Sequence, residues 1–83
     1  MKVKVRLFAI LKENTQQEFI ELDLPAGVIG KDLLQELAKK FPKMKGTIEK
    51  SAIAVNETYF LPDEKIPENA EIAIIPPVSG GIK

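Results

Sequence analysis

The sequence predicts an α+β domain in which one main helix covers one face of a mixed sheet of four to five strands. Three observations predict it. An apolar inward face at every second residue stands near both ends of the chain, one stretch of helical periodicity lies between, and proline or glycine marks the junctions around it. At eighty-three residues the chain is one domain with a small core.

The first strand is read from Lys2 to Ile10, with Val3, Val5 and Leu7 inward and Lys2, Lys4, Arg6 and Phe8 outward by parity. The polar run Lys12–Gln17 predicts a short loop. Glu18–Leu24 alternates again, with Ile20, Leu22 and Leu24 inward, so the two strands form a hairpin. Pro25-Ala26-Gly27 breaks the second strand. Leu33, Leu34, Leu37, Ala38 and Phe41 then mark one helical face, and Lys31, Gln35, Glu36, Lys39 and Lys40 the other. Asp32 near the start and Lys39-Lys40 near the end suit the helix dipole, and Pro42 stops the helix. No Ser, Thr, Asp or Asn cap precedes it; Val28-Ile29-Gly30 stands there instead, and the glycine is read as a cost in stability of about 1 kcal/mol relative to Ala.

Lys43–Lys50 reads as loosely structured, with Gly46 as a hinge. Ser51–Val55 is a short strand, Asn56-Glu57 a tight turn in which Asn tolerates positive φ, and Tyr59–Leu61 a brief return strand. Residues 62–69 form a turn-rich connection. Glu71–Ile75 is the last strand, with Ile72 and Ile74 inward and Ile75 outward. The first and last strands carry the strongest apolar faces, which places them side by side and parallel at the centre, the helix-bearing middle serving as crossover. That arrangement is a β-grasp (ubiquitin-like) domain over residues 1–76. Phe8 and Ile75 then lie on the uncovered face, with Tyr59 close, either as an apolar docking patch or as ordinary exposed apolar residues.

Composition removes several function classes. The chain has no Cys and no His, so the usual nucleophile, proton shuttle and transition-metal ligands are missing, and a self-sufficient enzyme or a metal site is not expected. The lack of cysteine fits a reducing cytoplasm. Twelve basic residues balance twelve acidic ones, which disfavours nucleic-acid binding. The charges are nonetheless segregated: Lys39, Lys40, Lys43, Lys45 and Lys50 lie mid-chain, and Glu57, Asp63, Glu64, Glu68 and Glu71 later, either as a solvated surface or as a steering field. No apolar run reaches membrane-spanning length.

The end of the chain carries the sharpest signal. Two prolines, Pro76 and Pro77, close the last strand, because neither can donate to a ladder, and Val78, Ser79, Gly80 and Gly81 follow. Residues 77–83 form an extended tail; from Pro77 to Gly81 it reaches roughly 15 Å, at about 3.1–3.4 Å per residue. Stiff and then thin, it suits a probe entering a narrow slot in another protein.

Ala54-Val55-Asn56 with Ile74–Gly81, Leu7-Phe8-Ala9, Leu24–Gly27, Asp32-Leu33-Leu34 and Phe41-Pro42 resemble the MoaD family, small subunits of molybdopterin synthase within the wider ubiquitin-like ThiS superfamily. The resemblance covers nearly the whole chain, and PPVSGG is its most specific part. It implies a sulfur carrier whose Gly81 carboxylate is activated as an acyl-adenylate by an ATP-dependent adenylating enzyme. The thiocarboxylate formed next donates its sulfur to cyclic pyranopterin monophosphate inside the large catalytic subunit of the synthase. It implies too that Pro77, Val78, Ser79 and Gly80 lie in the partner's active site, and that Phe8, Tyr59 and Ile75 bind partners. ATP belongs to the activating partner, and no cofactor is held by this chain. Ile82-Lys83 departs from the pattern, because a peptide bond at Gly81 leaves no carboxylate there; removal by a C-terminal processing peptidase would restore it. A ubiquitin-like modifier conjugated through Gly81, an interaction module with an inert tail, and a thiamine-pathway sulfur carrier stand as alternatives.

Overall fold

A computed structural model of the chain describes residues 1–77. Five strands form one mixed sheet in the order β2-β1-β5-β3-β4: β1 (Lys2–Leu7), β2 (Phe19–Asp23), β3 (Ala52–Val55), β4 (Thr58–Phe60) and β5 (Glu71–Ile75). As the sequence predicts, β1 and β5 are parallel neighbours at the centre, in register from Lys4 opposite Glu71 to Leu7 opposite Ile74. The remaining pairings are antiparallel.

The main helix, α2 (Gly30–Lys40), supplies Leu33, Leu34, Leu37 and Ala38 to the core. They join Val3, Val5, Leu7, Ile20, Leu22, Ile53, Val55, Ile72 and Ile74 in a single cluster. Alternation in the strands and 3.6-residue periodicity in the helix thus meet on one side of the sheet. Phe41, expected on the same face, is half-buried and packs against the edge of the cluster.

Two segments differ from expectation. The first strand stops at Leu7, and Ala9–Thr15 forms a helix, α1, where a short polar loop was predicted. Ala9 takes a φ of 52°, which turns the chain out of the strand, and Leu11 enters the core while the rest of α1 stays largely in water. The Thr15 hydroxyl donates to the Leu11 carbonyl at 2.7 Å, and Gln16, at φ 58°, closes the helix in the left-handed region. A seven-residue helix that buries one side chain has no stripe to read. The same reason applies to Lys43–Lys50. Pro42–Met44 is a 3-10 turn and Lys45–Glu49 a short helix, α3, anchored by the buried Ile48. Gly46 lies inside α3 and is no hinge.

The start of α2 shows how the uncapped helix is satisfied. The Gly30 N–H donates to the Glu64 carbonyl at 3.0 Å and the Lys31 N–H to Pro62 at 2.8 Å. An Asp32 carboxylate oxygen accepts the Ile29 N–H at 3.2 Å, one half of a capping box, since Ile29 offers no side-chain acceptor in return. Gly30 therefore does more than weaken a helix. A Cβ there would stand 3.0 Å from Ile53 Cδ1 and 3.3 Å from both the Leu61 carbonyl oxygen and Pro62 Cα. The connection over residues 62–69 passes close across this point and drops Ile66 into the core. The predicted turn at Asn56-Glu57 is present, with φ of 52° and 70°, the primed geometry that two-residue hairpins favour.

Candidate docking face

Three of the sequence-predicted residues come together on the face that the helices leave open. Strand alternation sends Arg6, Ala73, Ala54 and Tyr59 to that side, and the pairings align them with Phe19 in one row across all five strands: Phe19, Arg6, Ala73, Ala54, Tyr59. A groove of about 340 Å³ lies along this row from Arg6 to Tyr59. Ala73 and Ala54 form its floor, because their small side chains leave space above the sheet. Phe8 and Ile75 line it together with Arg6 and Tyr59, and Glu57 and Glu71 complete its rim. Tyr59 is 76% exposed on the edge strand β4, whereas Phe8 and Ile75 are half-buried. Phe8 keeps the outward parity expected of it although it follows the strand, since its backbone is still extended.

Arg6 and Phe19 were not singled out from the sequence. The Arg6 guanidinium carbon sits 4.9 Å from the centroid of the Phe8 ring and 5.6 Å from that of Phe19. Its Nη2 donates to Glu18 at 3.2 Å, and the Lys12 ammonium approaches the other oxygen of Glu18 at 3.9 Å. The Lys4 ammonium lies 4.4 Å over the Phe19 ring. An arginine at an outward strand position opposite a phenylalanine was the available signal, but it becomes visible only once the β1–β2 register is known.

Among the described residues no group of three or more His, Cys, Asp or Glu side chains is placed to hold a metal ion, and no helix is long and apolar enough to cross a membrane. Pro76 is buried at the end of β5 and Pro77 is exposed. Val78, Ser79, Gly80 and Gly81, the predicted tail residues, lie outside the described residues, as do Ile82 and Lys83. The groove therefore flanks the root of that tail: Ile75 lines it and Pro76 follows directly.

Comparison with known proteins bears on this arrangement. The molybdopterin synthase sulfur carrier subunit of Dictyostelium discoideum is 43% identical over 81 residues, which span 94% of each chain. A solved structure from Pyrococcus furiosus, provisionally assigned as subunit 1 of a molybdopterin converting factor, superposes with a TM-score of 0.81 at 30% identity. It covers 94% of this chain and 99% of its own. Small archaeal modifier protein 1 from Methanosarcina acetivorans gives a TM-score of 0.78 at 28% identity over 96% of both chains. The ThiS family profile matches residues 5–81. On a match that runs from the first strand through Gly81, and on a β-grasp fold shared with these relatives, the chain belongs to the ThiS family.

Proposed function

We propose that this chain is the sulfur-carrier subunit of a molybdopterin synthase, with its carboxyl-terminal glycine as the reactive group. One observation carries the reading: similarity along almost the full length to a relative named a molybdopterin synthase sulfur carrier subunit. The geometry supports it, because the groove lined by Phe8, Tyr59 and Ile75 sits at the root of the tail. A partner that covers this face would draw Pro77, Val78, Ser79 and Gly80 toward its own active site.

The chemistry then follows from what a carboxylate lacks. A free carboxylate on Gly81 is a poor acyl donor, so an ATP-dependent adenylating enzyme transfers AMP to it and releases pyrophosphate. A sulfur donor displaces AMP, and the thiocarboxylate carries sulfur to cyclic pyranopterin monophosphate in the large catalytic subunit. The chain supplies the carrier and the docking face; acids, bases and the nucleotide site belong to the partners. A processing peptidase that removes Ile82-Lys83 completes the scheme, in a cytoplasmic setting.

Intact mass of the chain isolated from its own cells tests this directly. The expected product ends at Gly81, with a fraction heavier by the difference between sulfur and oxygen. A population that always retains Ile82-Lys83 would overturn the carrier role. The likeness to small archaeal modifier protein 1 favours a second reading, in which Gly81 is joined to lysines of other proteins. Ladders of higher-mass conjugates, absent the sulfur-bearing form, would decide for that one.

A further inference from the structure

We propose that Arg6 determines specificity on the docking face, selecting a large subunit that presents a carboxylate at the β1 end of the groove and a cation at the β3–β4 turn. The inference rests on the reading that this face docks the large subunit of the synthase, and it names the chemistry of the surface that fits. Arg6 is the cationic residue lining a groove otherwise built of apolar side chains, two carboxylates and a phenol. Its position is fixed: Phe8 and Phe19 flank the guanidinium, and Glu18 holds one edge through Nη2. The pairing is incomplete. Nε is shielded from water and has no hydrogen-bond partner among the described residues. A partner that covers the groove removes the water that serves the remaining N–H groups, and an unpaired buried donor costs about 1–3 kcal/mol, more when charged. The covering surface must therefore bring an acceptor.

Local charge decides which acceptor. At this end Arg6 and Lys12 share the single carboxylate of Glu18, which leaves an excess of one positive charge in that cluster. A carboxylate fits it better than a neutral carbonyl. The opposite end is anionic: Glu57 and Glu71 line the groove, and neither forms an ion pair among the described residues. Lys4 stands opposite Glu71 in register, but its ammonium is turned over the Phe19 ring. The groove thus runs from a cation to two anions across a floor of Ala73 and Ala54. Apolar burial is non-directional. The two charged ends give the partner one favoured orientation, and so fix the side from which the tail enters.

Titration of the full-length large subunit from the same source, at low and at high salt, tests this. The variants are Arg6→Glu, Arg6→Lys and the double variant Glu57→Gln/Glu71→Gln, each checked for its melting temperature. Arg6→Glu should weaken binding at least about tenfold, and Arg6→Lys less, since lysine keeps the charge without the planar fork. The double variant should bind several-fold more weakly and lose much of the salt dependence of association. Unchanged affinity and salt dependence in Arg6→Glu, with weakened binding in Tyr59→Ala, would overturn the proposal and leave a purely apolar contact. Should Arg6→Glu fail to fold, the double variant, confined to exposed side chains, decides in its place, and unaltered binding there overturns the proposal equally. Failure of the unmodified chain to bind the large subunit would overturn the functional reading and this inference with it; loss of the charge effect alone overturns only the inference.

Discussion

The two faces of the sheet are made from the same strands, yet they obey different rules. Under α2, Val5, Ile72 and Ile74 are fully buried, and packing selects them. On the open face, one residue along from each buried position, stand Arg6, Ala73 and Ile75, chosen for what they display. The floor of the groove is alanine, although β-branched or aromatic residues would suit a strand better. Small side chains there leave the space that forms the groove. The inner face supplies the core; the outer face withdraws less apolar surface from water, so its chemistry can vary at smaller cost to the fold.

Adjacent residues of β5 sharpen this division most. Ile74 points inward and is completely buried, whereas Ile75 points outward into the groove. Ile74→Ala should cost about 2–5 kcal/mol, the range for a large-to-small change in a packed core. In a domain of this size each kcal/mol lowers the melting temperature by roughly 4–8 °C. Ile75→Ala should cost about 1 kcal/mol or less, because only part of its surface is withdrawn from water. Denaturant titration of the two variants side by side measures the difference. Equal losses would mean that the outer face is structural too.

A smaller effect is expected at Gly30, where helix propensity and packing pull in opposite directions. Alanine would gain up to about 1 kcal/mol in a helix interior, but less at the first turn. Against that, its Cβ would press on two backbone atoms of the Leu61–Pro62 passage as well as on the end of Ile53. Overpacking of this kind costs typically about 1–3 kcal/mol, and backbone cannot rotate away as a side chain can. Gly30→Ala should therefore destabilise by about 1 kcal/mol net, measured as a lower denaturation midpoint. A gain in stability would show that the 62–66 segment yields freely and is not pinned over the helix start.

How much of this was legible in the sequence depends on how many residues an element buries. β1, β2, β5 and α2 each bury two or more side chains at a regular spacing, so the period announces them. α1 and α3 rest on Leu11 and Ile48 alone, and one apolar residue has no period. The hairpin turn was legible because Asn56 tolerates a backbone conformation most residues avoid. The role of Gly30 was not, since the chain that crowds it arrives some thirty residues later. Phe8 and Ile75 could be placed by parity, with Tyr59 expected close to them, but the stacking of Arg6 on Phe19 depends on the β1–β2 register.

The smallest stability change should come from Tyr59→Ala, and it is the most telling for the open face. Tyr59 lies on the short edge strand β4 and is 76% exposed, so its ring contributes little burial that truncation could remove. Loss of an exposed side chain away from caps and buried networks usually shifts stability by no more than about 0.5 kcal/mol. Binding is a different matter, because exposed aromatic residues beside a groove are frequent anchors of interfaces, and truncating one can cost about 2 kcal/mol or more. The expected result is therefore an unaltered denaturation curve together with a Kd for the large subunit raised at least about tenfold. Both measurements are needed. A destabilised variant would mean that Tyr59 covers the sheet and does not await a partner, while unchanged stability with unchanged affinity would move the docking face elsewhere on the molecule.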